Sequence, residues 1–212
     1  MQPVARLRSG TGRGTAELAS LAGRASGSAA RSLYGGFVEL LPGEDDVAVS
    51  CLRPASEWPL RVLIAITEAG PKPIGSTEAM EVSRRTSPFY ASWLEQQPDD
   101  LAAARAAIAA RDFAALAQVA EHNCLKMHSV MWSSRPPLVY WNGTTLECLR
   151  AVRDLASDGA DVFFTMDAGP QVKAFCTADD EARVRDTLTS VPGVSDVLTS
   201  GLGEAALLID DG

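Results

Sequence analysis

The sequence predicts an α+β fold, because strand-like and helix-like segments follow one another without the strict βαβ alternation of a parallel sheet. Residues 60–67 are an almost continuous apolar run, which is typical of a buried strand. Residues 113–127 instead repeat apolar side chains every three or four positions, as one face of an amphipathic helix does. With 212 residues, 46% of them hydrophobic, the chain can bury a core as one large domain or two small ones.

The N-terminal part is predicted to hold a leader, a helix and two strands. Residues 1–14 carry glycine, proline and arginine without an apolar period, which indicates a flexible leader. The elements expected next are a helix over 15–25, a turn at Ser26-Gly27-Ser28, a strand over 37–40 and a strand over 47–51. The glycine pair Gly35-Gly36 suits a bend that feeds the first of these strands.

The middle of the chain is predicted to be mostly helical. The expected segments are a loop and then a helix within 71–87, a helix beginning at Ser87-Pro88, an alanine-rich helix after Asp99-Asp100, the helix over 113–127 and a helix over 145–158. Pro88 suits the first turn of a helix, and the two aspartates suit the positive end of a helix dipole. Residues 133–137 break the helical pattern between the last two helices.

The C-terminal part is predicted to add strands and one more helix. The expected elements are strands over 161–165, 172–176 and 205–209 and a helix near 179–189. Pro54 and Pro59 bracket a polar stretch before the buried strand, so a structural boundary is expected near residues 53–59.

Composition argues against several classes of partner. The net charge of −8 disfavours general binding to nucleic acid or to anionic membranes, since both need a basic face. No apolar run approaches the ~18 residues of a membrane span. A small anionic ligand needs only local positive charge, and only three of the 19 basic residues are lysines. An anion site would therefore depend on arginine and backbone N–H groups.

The cysteines and histidines do not form a metal-ligand pattern. The four cysteines are widely spaced and lack a Cys-x-x-Cys pair, which predicts buried reduced thiols in a cytosolic protein. His122 and His128 are six residues apart, whereas a helical zinc pair has i, i+4 spacing. We therefore expect no structural metal.

Two short segments, far apart in sequence, offer the chemistry of one anion site. Ser26-Gly27-Ser28-Ala29-Ala30-Arg31 provides hydroxyls, close backbone approach and a guanidinium that suits carboxylate or phosphate. Thr165-Met166-Asp167-Ala168-Gly169-Pro170 places a carboxylate after an apolar strand, where it can act as a general base. The residues alone also allow two ordinary loops, which are the commoner outcome for such sequences.

Five segments in combination resemble the diphosphomevalonate decarboxylase family. They are, in the family's order, ASGSAARSLYGGFVEL at 25–40, IGSTEAM at 74–80, TSPFYASW at 86–93, EHNCLKMH at 121–128 and FFTMDAGPQV at 163–172. The similarity runs from about Thr15 to the end of the chain, and residues 199–203 fit a glycine-rich turn of the family. Each segment alone is weak, so the specificity lies in their combination.

The resemblance implies the fold of the GHMP kinase superfamily, in which an ATP-binding domain accompanies a ferredoxin-like α/β sandwich. Residues 1–14 then form the leader, residues 15–58 a remnant of the N-terminal domain and residues 59–212 the C-terminal ferredoxin-like domain. The family's Asn-Ile-Ala and Lys-Tyr-Trp-Gly-Lys segments and its Gly-Leu-Ala-Ser-Ser-Ala phosphate loop are not found in this sequence. Most of the nucleotide-binding segment is therefore expected to be missing from the chain.

The resemblance also implies an activity and its residues. The family uses ATP and Mg²⁺ to phosphorylate the tertiary hydroxyl of mevalonate 5-diphosphate, and loss of that phosphate with CO₂ gives isopentenyl diphosphate. Asp167 matches the catalytic aspartate, and Arg31 matches the arginine that holds the substrate carboxylate. The positions matched to substrate binding are Ser26, Ser28, Arg31, Ser76 and Thr77.

Three functions are compatible with the sequence and with the resemblance. The first is the decarboxylation itself, with mevalonate 5-diphosphate as the small-molecule partner, a cytoplasmic location and a homodimer as an allowed assembly. The second is a non-catalytic ligand-binding or interaction module, suggested by the missing phosphate loop. The third is a kinase of the same superfamily that phosphorylates a mevalonate derivative without decarboxylation.

Overall fold

The computed structural model describes residues 6–7, 14–25, 27–42, 47–70 and 74–208. Its helices are α1 (Thr15–Ala25), α2 (Gly27–Arg31), α3 (Ser76–Thr86), α4 (Tyr90–Ala110), α5 (Phe113–Trp132), α6 (Gly143–Ser157) and α7 (Glu181–Ser190). Its strands are β1 (Arg6–Leu7), β2 (Phe37–Pro42), β3 (Val47–Arg53), β4 (Arg61–Ile66), β5 (Val162–Thr165), β6 (Val172–Cys176), β7 (Asp196–Gly201) and β8 (Leu207–Leu208). The mixture of helices and antiparallel strands confirms the predicted α+β class.

The described residues fall into two compact units. The first comprises those up to Leu60 together with those from Ser200 onward, and the second is Arg61–Thr199. The first unit gives way to the second after Leu60, next to the proline-bracketed stretch in which the sequence predicts a boundary. The three-part division into leader, remnant and C-terminal domain stays a prediction.

The first unit is built on the antiparallel pair of β2 and β3, against which α1 and α2 pack. β1 and β8 add a short parallel pair. Gly36 makes the turn into β2 with a φ of +74°, and a Cβ there would lie 2.2 Å from the carbonyl oxygen of Arg53. Both the backbone conformation and the close approach require glycine, so the predicted bend is confirmed.

The second unit is built on a four-stranded sheet of order β5-β6-β4-β7. β6 pairs antiparallel with both β4 and β5. Helices α3 to α6 lie between β4 and β5 in the chain, and α7 lies between β6 and β7. This β-α-β-β-α-β succession with its strand order is the ferredoxin-like arrangement, which the sequence analysis predicts.

The main core of the second unit lies between this sheet and helices α6 and α7. Strands β4, β5 and β6 bury Leu63, Phe164 and Val172, and α7 adds Val184 and Leu188. Each of these side chains is completely or almost completely removed from solvent, which contributes roughly 1.5–3 kcal/mol per side chain. The burial of β5 fixes the strand from which the loop of Asp167 leaves.

Helix α4 is continuous where the sequence analysis predicts two helices. Pro98 lies inside it, and Asp99 and Asp100 follow in mid-helix, not at a helix start. Asn123 of α5 donates to Gln97 at 3.2 Å and to Asp100 at 2.7 Å, on either side of the proline. These contacts with α5 hold both halves of α4 in line, and they outweigh the break that proline favours in an isolated helix.

Three smaller differences concern turns and strands. The short helix α2 occupies most of the predicted Ser-Gly-Ser turn, of which Ser26 lies outside the described residues. Strand β7 takes in the first part of the predicted turn at 199–203. Of the predicted strand at 205–209, β8 takes Leu207–Leu208, residues 205 and 206 precede it, and residue 209 lies outside the described residues.

Cys124, Cys148 and Cys176 are buried and unbridged, as predicted. The prediction is wrong for Cys51, which is exposed near the end of β3 and donates its thiol to the carbonyl oxygen of Gly35 at 3.4 Å. Across the described ranges, no helix has the length and apolar character needed to cross a membrane.

Candidate active site

Asp167 lies two residues beyond the end of β5, where the chain passes from the core to the surface. Met166 is only 2% exposed, whereas the side chain of Asp167 is 86% exposed. The Asp167 carboxylate contacts Nζ of Lys173 on the neighbouring strand β6. The buried strand and methionine therefore present an ionisable group to solvent from a fixed backbone position.

The loop after Asp167 is held by two buried threonines. Thr67 Oγ1 donates to the carbonyl oxygen of Pro170 at 2.8 Å, and Thr145 Oγ1 lies 2.9 Å from the same oxygen. The side chain of Gln171 accepts from the backbone N–H of Thr67 at 2.7 Å. These bonds join the loop to the end of β4 and to the start of α6, so the carboxylate stands on an anchored loop.

Thr145→Val is expected to lower the free energy of unfolding by about 1–3 kcal/mol, because it leaves buried polar groups without a partner. Denaturant titration of the purified chain measures this loss. Thr144→Val is the matched control, since it makes the same change one residue earlier, where the hydroxyl lies 3.4 Å from Pro192 in an exposed position. Equal unfolding midpoints for the two variants would show that the contact to Pro170 does not anchor the loop.

The outer edge of β5 is covered by α5. β5 is an edge strand, and the N–H of Phe164 donates to Glu121 Oε1 at 3.2 Å. Arg153 of α6 places Nε 3.7 Å from Glu121 Oε2 and its guanidinium 5.3 Å from the centre of the Phe164 ring. Burial raises the pKa of Glu121, although the Phe164 N–H and Arg153 oppose the shift. Glu121 therefore fixes the strand that leads to Asp167.

Glu121→Leu is expected to cost about 1–3 kcal/mol of unfolding free energy, because it removes the acceptor for a backbone N–H at a covered strand edge. Glu121→Gln keeps an acceptor oxygen and should lose less. Glu147→Leu, at an exposed position of α6, controls for the change from glutamate to leucine. Thermal unfolding of the three variants gives the comparison, and a Glu121→Leu variant as stable as the control would contradict the assignment.

His128 on α5 is buried and uncharged at neutral pH. It is 1% exposed, and its ring centre lies 4.9 Å from that of Trp141. Neither ring nitrogen has a hydrogen-bond partner within the part of the chain that the structure describes. Burial lowers the pKa of His128 to about 4, while the negative charge of Asp167 opposes the shift. His128 therefore supplies no positive charge to Asp167 at pH 7.

A cavity of about 350 Å³ opens beside Asp167, between α4, α5 and the end of β5. Its walls are mostly apolar, and the polar side chains of Asp100 and Asn123 in the wall are hydrogen-bonded to each other. Asp100 accepts from Asn123 at 2.7 Å and contacts Nζ of Lys126. Burial raises the pKa of Asp100, but these two partners outweigh it and leave the pKa below its ordinary value. The cavity offers a ligand an apolar wall next to a carboxylate.

The structure describes two of the three predicted site residues of the first unit. Arg31 ends α2 and is exposed. Ser28 belongs to α2, and Ser26 lies outside the described residues. The roles given to these three residues by the resemblance stay predictions.

The predicted site residues of the second unit lie around one small apolar cluster. Ser76 and Thr77 are exposed in the first turn of α3. Ile74, just before that helix, and Ala168, just after Asp167, pack against the same buried cluster. The structure therefore brings the start of α3 close to the loop of Asp167. A helix start offers free N–H groups and a partial positive charge, both of which suit an anionic ligand.

Several residues that shape this site are not predicted from the sequence. They are Thr67, Glu121, Thr145 and Lys173. Lys173 carries a recognisable signal, because it is the charged member of an otherwise uncharged strand, VKAFC. The two threonines carry none, since their importance comes from the loop that they contact.

Comparison with known proteins points to one family. The model of the mevalonate 5-diphosphate decarboxylase C-terminal domain matches residues 62–203. The diphosphomevalonate decarboxylase of Rattus norvegicus is 35% identical over 206 residues, which cover 92% of this chain and 51% of the rat protein. That of Homo sapiens is 37% identical over 172 residues, covering 77% and 43% respectively. The chain thus spans about half the length of the curated relatives it matches.

Solved structures agree with these matches. Mevalonate diphosphate decarboxylase from Staphylococcus aureus is 31% identical with a TM-score of 0.84, covering 92% of this chain and 60% of that one. MDDEF in complex with MVAPP, AMPPCP and magnesium is 30% identical with a TM-score of 0.82 and the same coverage of 92% and 60%. The family model includes Asp167 and well over half of the chain. On these grounds, the chain belongs to the mevalonate 5-diphosphate decarboxylase family.

Proposed function

We propose that this chain carries the substrate-side part of an ATP-dependent diphosphomevalonate decarboxylase of the mevalonate pathway, which makes isopentenyl diphosphate. The observation that carries the proposal is the exposed Asp167 carboxylate on its anchored loop, in a member of this family. The rat and human relatives are named for the activity, and a related structure holds MVAPP. The chain spans about half the length of those relatives, so their activity is extended to this chain as a proposal.

Asp167 acts in the proposal as the general base. It removes the proton of the substrate's tertiary hydroxyl as that oxygen attacks phosphorus, and a positioned base of this kind contributes roughly 10²- to 10⁴-fold in rate. The exposed position of Asp167 leaves one face of its carboxylate open to a ligand and lets the proton pass on to water. The anchored loop holds the carboxylate at a defined place, which reduces the reorganisation needed before reaction.

In the second half of the reaction, the phosphorylated substrate is decarboxylated. The phosphorylated oxygen leaves as phosphate while the bond to the substrate carboxylate breaks, and the electron pair of that bond forms the new double bond with release of CO₂. Arg31 is proposed to hold the carboxylate until this step. A very tight ground-state clamp would oppose the loss of that charge, so Arg31 serves for orientation. Ser26, Ser28, Ser76 and Thr77 are proposed to contact the remaining oxygens of the substrate.

ATP is proposed as the co-substrate, with Mg²⁺ as its usual counter-ion, because MDDEF was solved with AMPPCP and magnesium. ATP supplies the phosphoryl group that turns the hydroxyl into a leaving group. No cluster of three or more His, Cys, Asp or Glu side chains that could hold a metal ion occurs over the described ranges. Because Mg²⁺ that accompanies a nucleotide is held largely by phosphate oxygens and water, the proposal needs no such cluster and assigns none of the described residues to either group.

The proposed setting is the cytoplasm, and the proposed assembly allows a homodimer. Both come from the family resemblance. The acidic composition and free cysteines agree with a small-molecule enzyme of a reducing compartment.

The proposal is tested by supplying the purified chain with mevalonate 5-diphosphate labelled in its carboxyl carbon, with and without ATP and Mg²⁺. The proposal predicts ATP-dependent release of labelled CO₂ in equal amount to ADP. Formation of ADP without CO₂ would favour the kinase, and substrate binding by calorimetry without either product would favour the binding module. A chain that neither binds nor converts the substrate would overturn the proposal.

A further inference from the structure

The group in contact with Asp167 is Lys173, which the family resemblance does not assign to the site. The two residues are joined by the sheet, because Lys173 is the register partner of Thr165 across β5 and β6. Asp167 follows Thr165 by two residues, so the lysine reaches the carboxylate from the adjacent strand. The contact therefore depends on strand pairing within the sheet, and both backbones are fixed before a ligand arrives.

The surroundings differ at the two ends of the contact. The Lys173 side chain is 26% exposed, whereas that of Asp167 is 86% exposed. The lysine stem is thus packed along the sheet and its ammonium group has little freedom, while the carboxylate keeps a face open to solvent. A lysine restrained in this way loses little rotamer entropy when it orients a carboxylate.

Two titratable groups of α5 interact electrostatically with Asp167: His128 and Cys124. Burial lowers the pKa of His128 to about 4 and raises the pKa of Cys124, so both are uncharged near pH 7. Of the three groups His128, Cys124 and Lys173, it is Lys173 that places a positive charge beside the Asp167 carboxylate at neutral pH.

We infer that Lys173 is a positioning residue for the reaction proposed above: its ammonium group holds the Asp167 carboxylate in the orientation from which it accepts the hydroxyl proton. The inference rests on the proposed function, because Asp167 must be the base. A base that is oriented before the substrate binds needs less reorganisation to reach the transition state.

The test uses Lys173→Met, which keeps the length of the stem, and Lys173→Arg, which keeps the charge. In the free chain, NMR scalar couplings of ¹³C-labelled aspartate should show one χ1 rotamer of Asp167 in the unmodified chain and averaging over several rotamers in Lys173→Met. In turnover assays, kcat of Lys173→Met should fall about 10-fold with little change in KM. Lys173→Arg should restore the single rotamer and most of kcat.

Arg150→Met, which removes a positive charge from an exposed position of α6, is the control and should leave both readouts unchanged. The same Asp167 rotamer populations in Lys173→Met and in the unmodified chain would overturn the inference, as would an unchanged kcat. The NMR measurement needs no substrate. Loss of the single rotamer in a chain without turnover would therefore overturn the proposed function while upholding the effect of Lys173 on Asp167.

Discussion

Asp167→Asn is expected to lower the turnover of mevalonate 5-diphosphate by roughly 10²- to 10⁴-fold, because an amide of the same shape cannot take up the hydroxyl proton. The fold should persist, with the unfolding free energy changed by no more than about 0.5 kcal/mol. The side chain is 86% exposed and packs little. ATP-dependent CO₂ release and denaturant titration of the same preparation measure the two quantities.

Asp158→Asn is the matched control for this variant. Asp158 is also an exposed aspartate with a basic neighbour, Arg183, at 3.7 Å, but it lies at the end of α6 away from the loop of Asp167. It should retain full turnover. Near-normal turnover in Asp167→Asn would remove Asp167 from the role of base.

Acidification from pH 6.5 to pH 4 is expected to destabilise the second unit by roughly 3 kcal/mol through His128. The pKa of His128 lies near 4 in the folded chain, below its value of 6.5 in the unfolded chain. The unfolded state therefore binds the extra proton between these two pH values, and the unfolding free energy falls as the pH falls. Below about pH 4 the contribution is constant. Urea titrations at several pH values between 4 and 7 measure the slope.

His128→Phe isolates this effect, because phenylalanine fills a similar volume beside Trp141 and does not titrate. The variant should lose the acid slope, whereas His122→Gln, at the exposed histidine of the same helix, should keep it. Glu121 acts in the opposite direction, since burial raises its pKa, but it is common to all three proteins. The same acid slope in His128→Phe as in the unmodified chain would contradict the assignment.

The fold could be predicted where local pattern and tertiary packing favour the same element. The apolar run of β4 and the helical repeat of α5 are examples, because their buried faces are continuous in sequence. Helix α4 shows the opposite case, since Pro98 and two aspartates locally favour a break. The bonds from Asn123 to residues on both sides of Pro98 decide the outcome, and the sequence gives no sign of that pairing.

The chemical groups of the site could be predicted from the sequence, but the residues that hold them in place could not. The apolar residues of β5 followed by an aspartate indicate a presented carboxylate, and the structure finds Asp167 in that position. Thr67 and Thr145 contact the loop from 103 and 25 residues away, through hydroxyls that look like any others in the sequence. Lys173 faces the site only because antiparallel pairing sets it opposite Thr165.

The role of Asp167 as the base is tested most directly by a crystal structure of the chain with mevalonate 5-diphosphate. In that structure, the tertiary hydroxyl oxygen is expected about 2.6–3.2 Å from an Asp167 carboxylate oxygen, which is the reach of a general base. A substrate whose hydroxyl lies beyond hydrogen-bond reach of Asp167, or a chain that does not take up the substrate at all, would contradict it.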